Sequence, residues 1–257
     1  MKILKAFLYG IGLPVLLIAL WWAATSGAPN FFVPTPGALV EKFPATWFGD
    51  RLLTDVLPSI LRLLAGLAVA IVLGIVLGLL VGLSPVLRAL TEPVFEFFRA
   101  IPPPVLVPVL MLIVGINDSM KVAVIVSGCV WPVLLNTIEG VRAIDPVQNE
   151  TTRSYGITGF SRVRYQILPS AAPQIFAGVR QSLSIGLILM VISEMFASSS
   201  GLGFTIVQFQ RSFAIPEMWS GIVVLGLIGV AMSLIFQWIQ RIVLRWYNGL
   251  KEVENAA

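Results

Sequence analysis

Apolar residues in this chain fall into long runs separated by short polar stretches. A helix that crosses the hydrocarbon of a bilayer needs roughly 20 mostly apolar residues. Six runs approach that length: Phe7 to Ala24, Ile60 to Leu83, Ile101 to Ile116, Val122 to Ile138, Ile175 to Ala197 and Trp219 to Ile239. The third and fourth are short and carry proline, and only Asn117 to Lys121 separates them, which predicts a tight helical hairpin. The expected fold class is an all-α polytopic membrane protein of about six transmembrane helices, because only helices and closed barrels satisfy their backbone groups inside lipid.

Composition supports the same solvent. Apolar residues make up 57% of the 257 positions and charged residues 12%, with a mean hydropathy of +0.92. Soluble domains carry about twice that charge fraction, so too little polar surface exists here to cover a water-soluble particle. The chain has no histidine, which removes imidazole as metal ligand, general base or proton relay. A single cysteine, Cys129, excludes an internal disulfide and a thiolate metal cluster, and its apolar surroundings predict a small buried hydrophobe. No metal site is expected.

The net charge of +4 is scattered between the apolar runs rather than gathered in a patch, which argues against nucleic acid and for membrane topology. Counting Lys and Arg near the spans orients the chain. With the N-terminus inside, the inner segments hold Lys2, Lys5, Arg88, Arg99, Arg142, Arg153, Arg162, Arg164, Arg241, Arg245 and Lys251, and the outer ones only Lys42, Arg51, Lys121 and Arg211. Both termini are therefore expected in the cytoplasm. The first run is long for a signal peptide and ends in the interfacial pair Trp21-Trp22, so it reads as a retained span. The segment Pro29 to Asp50, rich in proline and aromatics, is expected along the outer interface. The expected organisation is an N-terminal helix and interfacial segment over 1–52, a five-helix core over 53–245 and a tail over 246–257.

The second span places Gly66, Ala70, Gly74, Gly78 and Gly82 at every fourth position, hence on one helical face. This predicts a seam for close helix packing. Charges within spans are costly and face a partner or a water-filled cavity. Glu194, at the outer end of the fifth span, and Arg62, in the outer part of the second, stand out. Two readings are open for them: a structural ion pair or helix-end contact, and residues that line a pathway. Ser193, Met195, Ser198, Ser199, Ser200 and Gln208 complete the candidate translocation pathway.

The one long polar stretch expected inside is Gly140 to Ser170. Asp145 can cap a helix that starts at Pro146, Gly156 can end it in the left-handed region, and Thr158 or Ser161 can start a second helix that Pro169 breaks before the fifth span. A compact helix pair of this kind is shaped to dock into another protein.

Glu150-Thr151-Thr152, three residues, Gly156, and then Ile167-Leu168-Pro169 after Gly156 resemble the EAA loop of permease subunits from bacterial binding-protein-dependent ABC importers. The departure is Thr151-Thr152 where the loop has two alanines. Ser59-Ile60-Leu61-Arg62, Phe98-Arg99-Ala100-Ile101-Pro102-Pro103, Asn136-Thr137, Ser193-Glu194-Met195 and Gly201-Leu202-Gly203 extend the resemblance over roughly Leu53 to Arg245, toward the nitrate, taurine, sulfonate and bicarbonate branch. The resemblance implies a type I importer permease fold and a homodimer with a second permease copy. It also implies two cytoplasmic ABC ATPases docked on the loop and a periplasmic or lipid-anchored solute-binding protein.

The chain contains no GxxxxGK[ST] phosphate loop, so ATP and magnesium are expected on the partner ATPase, with no cofactor and no enzymatic activity on this chain. For Glu150, contact with a polar group on the ATPase stands beside an ordinary helix-end carboxylate. The spans show no cationic cluster, so the cargo is open between a small anion and a neutral solute. A rival reading is an ion-gradient-driven secondary transporter, which needs a dedicated intramembrane site and for which Glu194 alone is thin support. A membrane-embedded enzyme would need clustered His, Asp or Cys, which the sequence lacks.

Overall fold

A computed structural model describes residues 2–27, 30–196, 198–247 and 249, with side chains from Gly12 onward. Pro29, Ala197 and Lys251 of the expectations above, the side chains of Lys2 and Lys5, and most of the tail lie outside the described residues. Among the described residues four helices are long and apolar enough to cross a membrane, and a bent helix pair makes a fifth crossing if it counts as one span. The chain divides into two compact units, Met1–Pro58 with Ser199–Leu227, and Ser59–Ser198 with Ile228–Ala257.

The first unit contains α1 (Lys2–Ser26), α2 (Pro36–Trp47), a π-helical turn (Leu52–Val56), α10 (Leu202–Arg211) and the start of α11 (Ile215–Val243). Thr35 caps α2 by accepting from Ala38 N at 3.2 Å, with Pro36 at the first helical position. Trp47 is buried at the end of α2 and donates its indole N–H to Ser220 Oγ at 2.8 Å. Trp21 packs on Trp219 with ring centroids 5.9 Å apart, so α1 lies against the start of α11.

The second unit is built on α3 (Leu57–Leu83), α4 (Pro85–Ala100), α5 (Leu106–Val114), α6 (Asp118–Arg142), α7 (Pro146–Ser154), α8 (Gly159–Arg162) and α9 (Leu168–Phe196). The small-residue face of α3 packs on α6. A Cβ at Gly66 would come within 2.5 Å of Ile125, at Gly74 2.7 Å from Val133, at Gly78 2.6 Å from Thr137 and at Gly82 2.9 Å from Val141. Ala70 in the same row is wholly buried. The residue numbers rise together with a constant offset, so α3 and α6 run parallel with backbones too close for side chains between them. Along α9 the order reverses: Gly140 meets Ala171, Gly178 meets Pro132 and Asn136, and Gly186 meets Cys129, so α6 and α9 are antiparallel. Ser182 Oγ donates to Cys129 O at 2.6 Å, and Cys129 Sγ donates to Ser182 O at 3.3 Å, which joins the two helices midway.

Three expectations are corrected. Ile101 to Ile116 does not form a span by itself: its helix α5 has only nine residues and meets α4 at a 75° bend around Pro102, Pro103 and Pro104. Consecutive prolines remove the amide hydrogens a continuous helix needs. The strong amphipathicity of α4 leaves Val86, Leu90, Val94, Phe97 and Phe98 exposed. The separator Asn117 to Lys121 is only partly a connection. Asn117 caps α6 by accepting from Met120 N at 2.9 Å, so Asp118 and Lys121 belong to the helix. Pro169 does not break the chain before the fifth span. A π-helical turn over Val163–Ile167 passes directly into α9, and Pro169 sits in the first turn of α9, where its missing N–H is tolerated.

Candidate functional site

The polar stretch after α6 folds as two short helices around a glycine. Asp145 accepts from Val147 N at 2.7 Å and Pro146 opens α7. At its other end Gly156 has φ +69, Gly156 N donates to Arg153 O at 3.0 Å, and Ile157 N donates to Thr152 O at 3.1 Å. That paired pattern is a Schellman ending, which places a left-handed residue where glycine is least strained. A Cβ on Gly156 would meet nothing within 4 Å, so backbone conformation rather than crowding selects glycine here. Thr158 starts α8 without a side-chain cap bond.

Thr151 and Thr152, where the resembled loop has alanines, each turn their hydroxyl back along α7. Thr151 Oγ1 donates to Val147 O at 2.8 Å and Thr152 Oγ1 donates to Gln148 O at 2.7 Å. Thr151 is exposed and Thr152 buried, while Glu150 is exposed beside Arg153 and Arg162 in a shallow cleft. Ile167 is buried in a cluster with Val141, Ile144, Ala171 and Ile175, and Leu168 and Pro169 are half-buried next to it.

Asn149, which sequence reasoning passed over, is the hub of this loop. Its Oδ1 accepts from Gln166 Nε2 at 2.8 Å and from Arg162 Nη2 at 3.1 Å, and Arg162 Nε reaches Gln166 Oε1 at 3.2 Å. These bonds tie α7 to the π-helical turn that leads into α9. Val147, Tyr155, Phe160 and Tyr165 of the loop are exposed. No local pattern marks Asn149, because its partners are brought in by the Gly156 turn.

At the opposite end of α3, α6 and α9 lies a network of charges. Arg62 Nη1 lies 2.7 Å from Glu194 Oε1, and Ser59 Oγ lies 2.7 and 2.9 Å from the two Glu194 oxygens. Arg62 and Glu194 thus form an ion pair, and both residues are buried. The other edge of the guanidinium holds Asp118 Oδ1 through Nε and Nη2, both at 2.9 Å, and Lys121 Nζ holds the same oxygen at 3.1 Å. Sequence reasoning read Lys121 as an outer-side topology charge and did not weigh Asp118. Their i, i+3 spacing at a helix start was a signal, but their pairing with Arg62 depends on tertiary packing.

The remaining pathway candidates fall in both units. Ser193 is buried and donates to Met190 O at 2.8 Å, Met195 is exposed, and Ser198 is half-buried, all in the second unit. Ser199, Ser200 and Gln208 belong to the first unit, where Gln208 is exposed on α10. In that unit buried Asp55 accepts from Gly201 N at 2.9 Å and so fixes the glycine turn, with φ +115, that precedes α10.

Residues 70–249 match the family described as binding-protein-dependent transport system inner membrane component. The chain belongs to this family. It is 28% identical over 245 residues to the taurine transport system permease protein TauC of Escherichia coli K12, which covers 93% of this chain and 89% of that protein. It is 31% identical over 236 residues to the putative aliphatic sulfonates transport permease protein SsuC of the same organism, covering 91% and 90%. Its fold resembles an inward-facing conformation of the MetNI methionine ABC transporter, with a TM-score of 0.59 at 20% identity over 76% of this chain and 98% of that one. The family matches the resemblance drawn from the loop and span motifs: this is an ABC transporter permease, a multi-pass inner-membrane component. Residues 145–169, with the α7–Gly156–α8 turn, lie within the matched region.

Proposed function

We propose that this permease forms the translocation pathway of an importer for a small anion of the taurine, sulfonate, nitrate or bicarbonate kind. A periplasmic or lipid-anchored binding protein delivers the cargo, and ATP is hydrolysed with magnesium on two ABC ATPases docked on residues 145–169. A second copy of the permease completes the pathway, and both termini face the cytoplasm of a bacterial inner membrane. The substrate class is supported by the identity to taurine and sulfonate permeases across most of both chains.

One observation carries the coupling role. The loop exposes Tyr155, Phe160 and Tyr165 and is tied through Asn149 to the helical turn that continues into α9. A force applied to α7 therefore reaches α9 through hydrogen bonds rather than through a flexible linker. α9 in turn packs on α6 along most of its length, so displacement of the loop tilts that pair, as alternating access requires.

The test uses the permease reconstituted with its ATPase and binding protein. Gly156→Val forces a β-branched residue into the left-handed region. Stimulated ATP hydrolysis and uptake should fall to background while membrane insertion and yield hold. Uptake at the unmodified rate would show that the loop does not couple the ATPase to the pathway.

A further inference from the structure

We propose that Arg62 and Lys121 form an oxyanion site near the start of α6, in which the carboxylate of Asp118 is an exchangeable occupant that a small sulfonate or carboxylate replaces. This deepens the importer reading and rests on it for the identity of the cargo. Three N–H donors converge on one Asp118 oxygen: Arg62 Nε and Nη2 at 2.9 Å and Lys121 Nζ at 3.1 Å. The donors are buried and the acceptor is not. The Arg62 and Lys121 side chains are 7% and 6% exposed, and that of Asp118 is 67% exposed.

This asymmetry points to exchange. Glu194 balances one of the two buried cations, so the second requires a further anion beside it. Asp118 supplies it from the first turn of α6, where it can swing away without disturbing packed neighbours. A sulfonate or carboxylate presents the same acceptor, with a second oxygen for the other cation, so the exchange leaves the charge balance unchanged. The start of α6 adds the positive end of a 25-residue helix. Glu194, itself held by the Ser59 hydroxyl, pairs with Nη1 of the guanidinium and keeps its Nε and Nη2 edge aimed at the site. A tethered carboxylate competes at high effective concentration, which keeps the site weak, and a weak site suits a pathway that must release its cargo.

The experiment is chemical rescue of the full-length chain purified in detergent, without ATPase or binding protein. Asp118→Asn removes the charge and should lower the melting temperature by about 5 °C in sodium chloride. Sodium methanesulfonate at equal ionic strength should restore most of that loss in Asp118→Asn. It should do nothing for the unmodified chain or for the double variant with Lys121→Met. Equal melting temperatures of Asp118→Asn in the two salts would overturn the proposal. If Asp118→Asn does not fold, ¹⁹F line broadening of trifluoromethanesulfonate decides: broadening by the unmodified chain that Lys121→Met abolishes supports the site, and equal broadening by both overturns it. Because no ATP is involved, a negative result here leaves the coupling assignment standing, and a failed coupling test leaves this site standing.

Discussion

The buried charges divide their work by exposure. Glu194 is fully enclosed and paired with Arg62, so breaking that pair carries a stability cost. Removing one member of a buried pair strands the other and costs about 3–5 kcal/mol, whereas replacing both by apolar residues of similar size is far milder. Glu194→Leu should therefore unfold at a markedly lower temperature in detergent, and adding Arg62→Met should recover much of the loss; a purely additive double variant would contradict the pairing. Gly156 presents a different residue-scale effect. Its open surroundings leave only backbone strain, so Gly156→Ala should cost about 1–2 kcal/mol locally and reduce coupled uptake far less than Gly156→Val. The glycine ending and the Asp145 cap were legible in the sequence because caps are local chemistry. The pairing of Lys121 with Asp118 beside Arg62 was not legible, because nothing within its own turn reveals that Arg62, far along the chain, closes on the same carboxylate oxygen.

At the scale of elements, the α3–α6 seam is the strongest constraint. Its five small residues were legible from spacing alone, but the partner helix was not, since a small-residue face says that something approaches without saying what. The matched offset between α3 and α6 now requires the chain between them to return to the starting side, and the bent α4–α5 pair does so. Hydropathy averaged over Ile101 to Ile116 could not show that bend, because Pro102 to Pro104 contribute little to the average and everything to the geometry. Gly78→Leu should separate α3 from α6 and abolish a monodisperse peak in size-exclusion chromatography. Gly226→Leu, where a Cβ meets nothing within 4 Å, should leave that peak unchanged. Pro169 was misjudged for a related reason: a proline breaks a helix only where its N–H is needed, and a π-helical turn placed just before it removes that need.

For the molecule as a whole, the division of labour follows from what the residues can do. In the proposed importer, this chain's part in transport is to turn a partner's motion into movement of its helices, through the Asn149 bonds that tie α7 to the helix leading into α9. Orientation gives a direct expectation, because the sole native cysteine is buried and silent to labelling. Introduced cysteines at Tyr155 and Phe31 should react with a membrane-impermeant maleimide from opposite sides of intact spheroplasts, Phe31→Cys from outside and Tyr155→Cys only after lysis. Labelling of Tyr155→Cys from outside, with Phe31→Cys reached only after lysis, would reverse the topology. The central claim, that the ATPase sits on the exposed aromatics of residues 145–169, is tested most directly by a photo-cross-linking amino acid at Phe160 in the assembled transporter. The account predicts a covalent adduct with the ATPase subunit from position 160 and none from a control at Phe31. An ATPase adduct from position 31, or its absence from position 160, would contradict it.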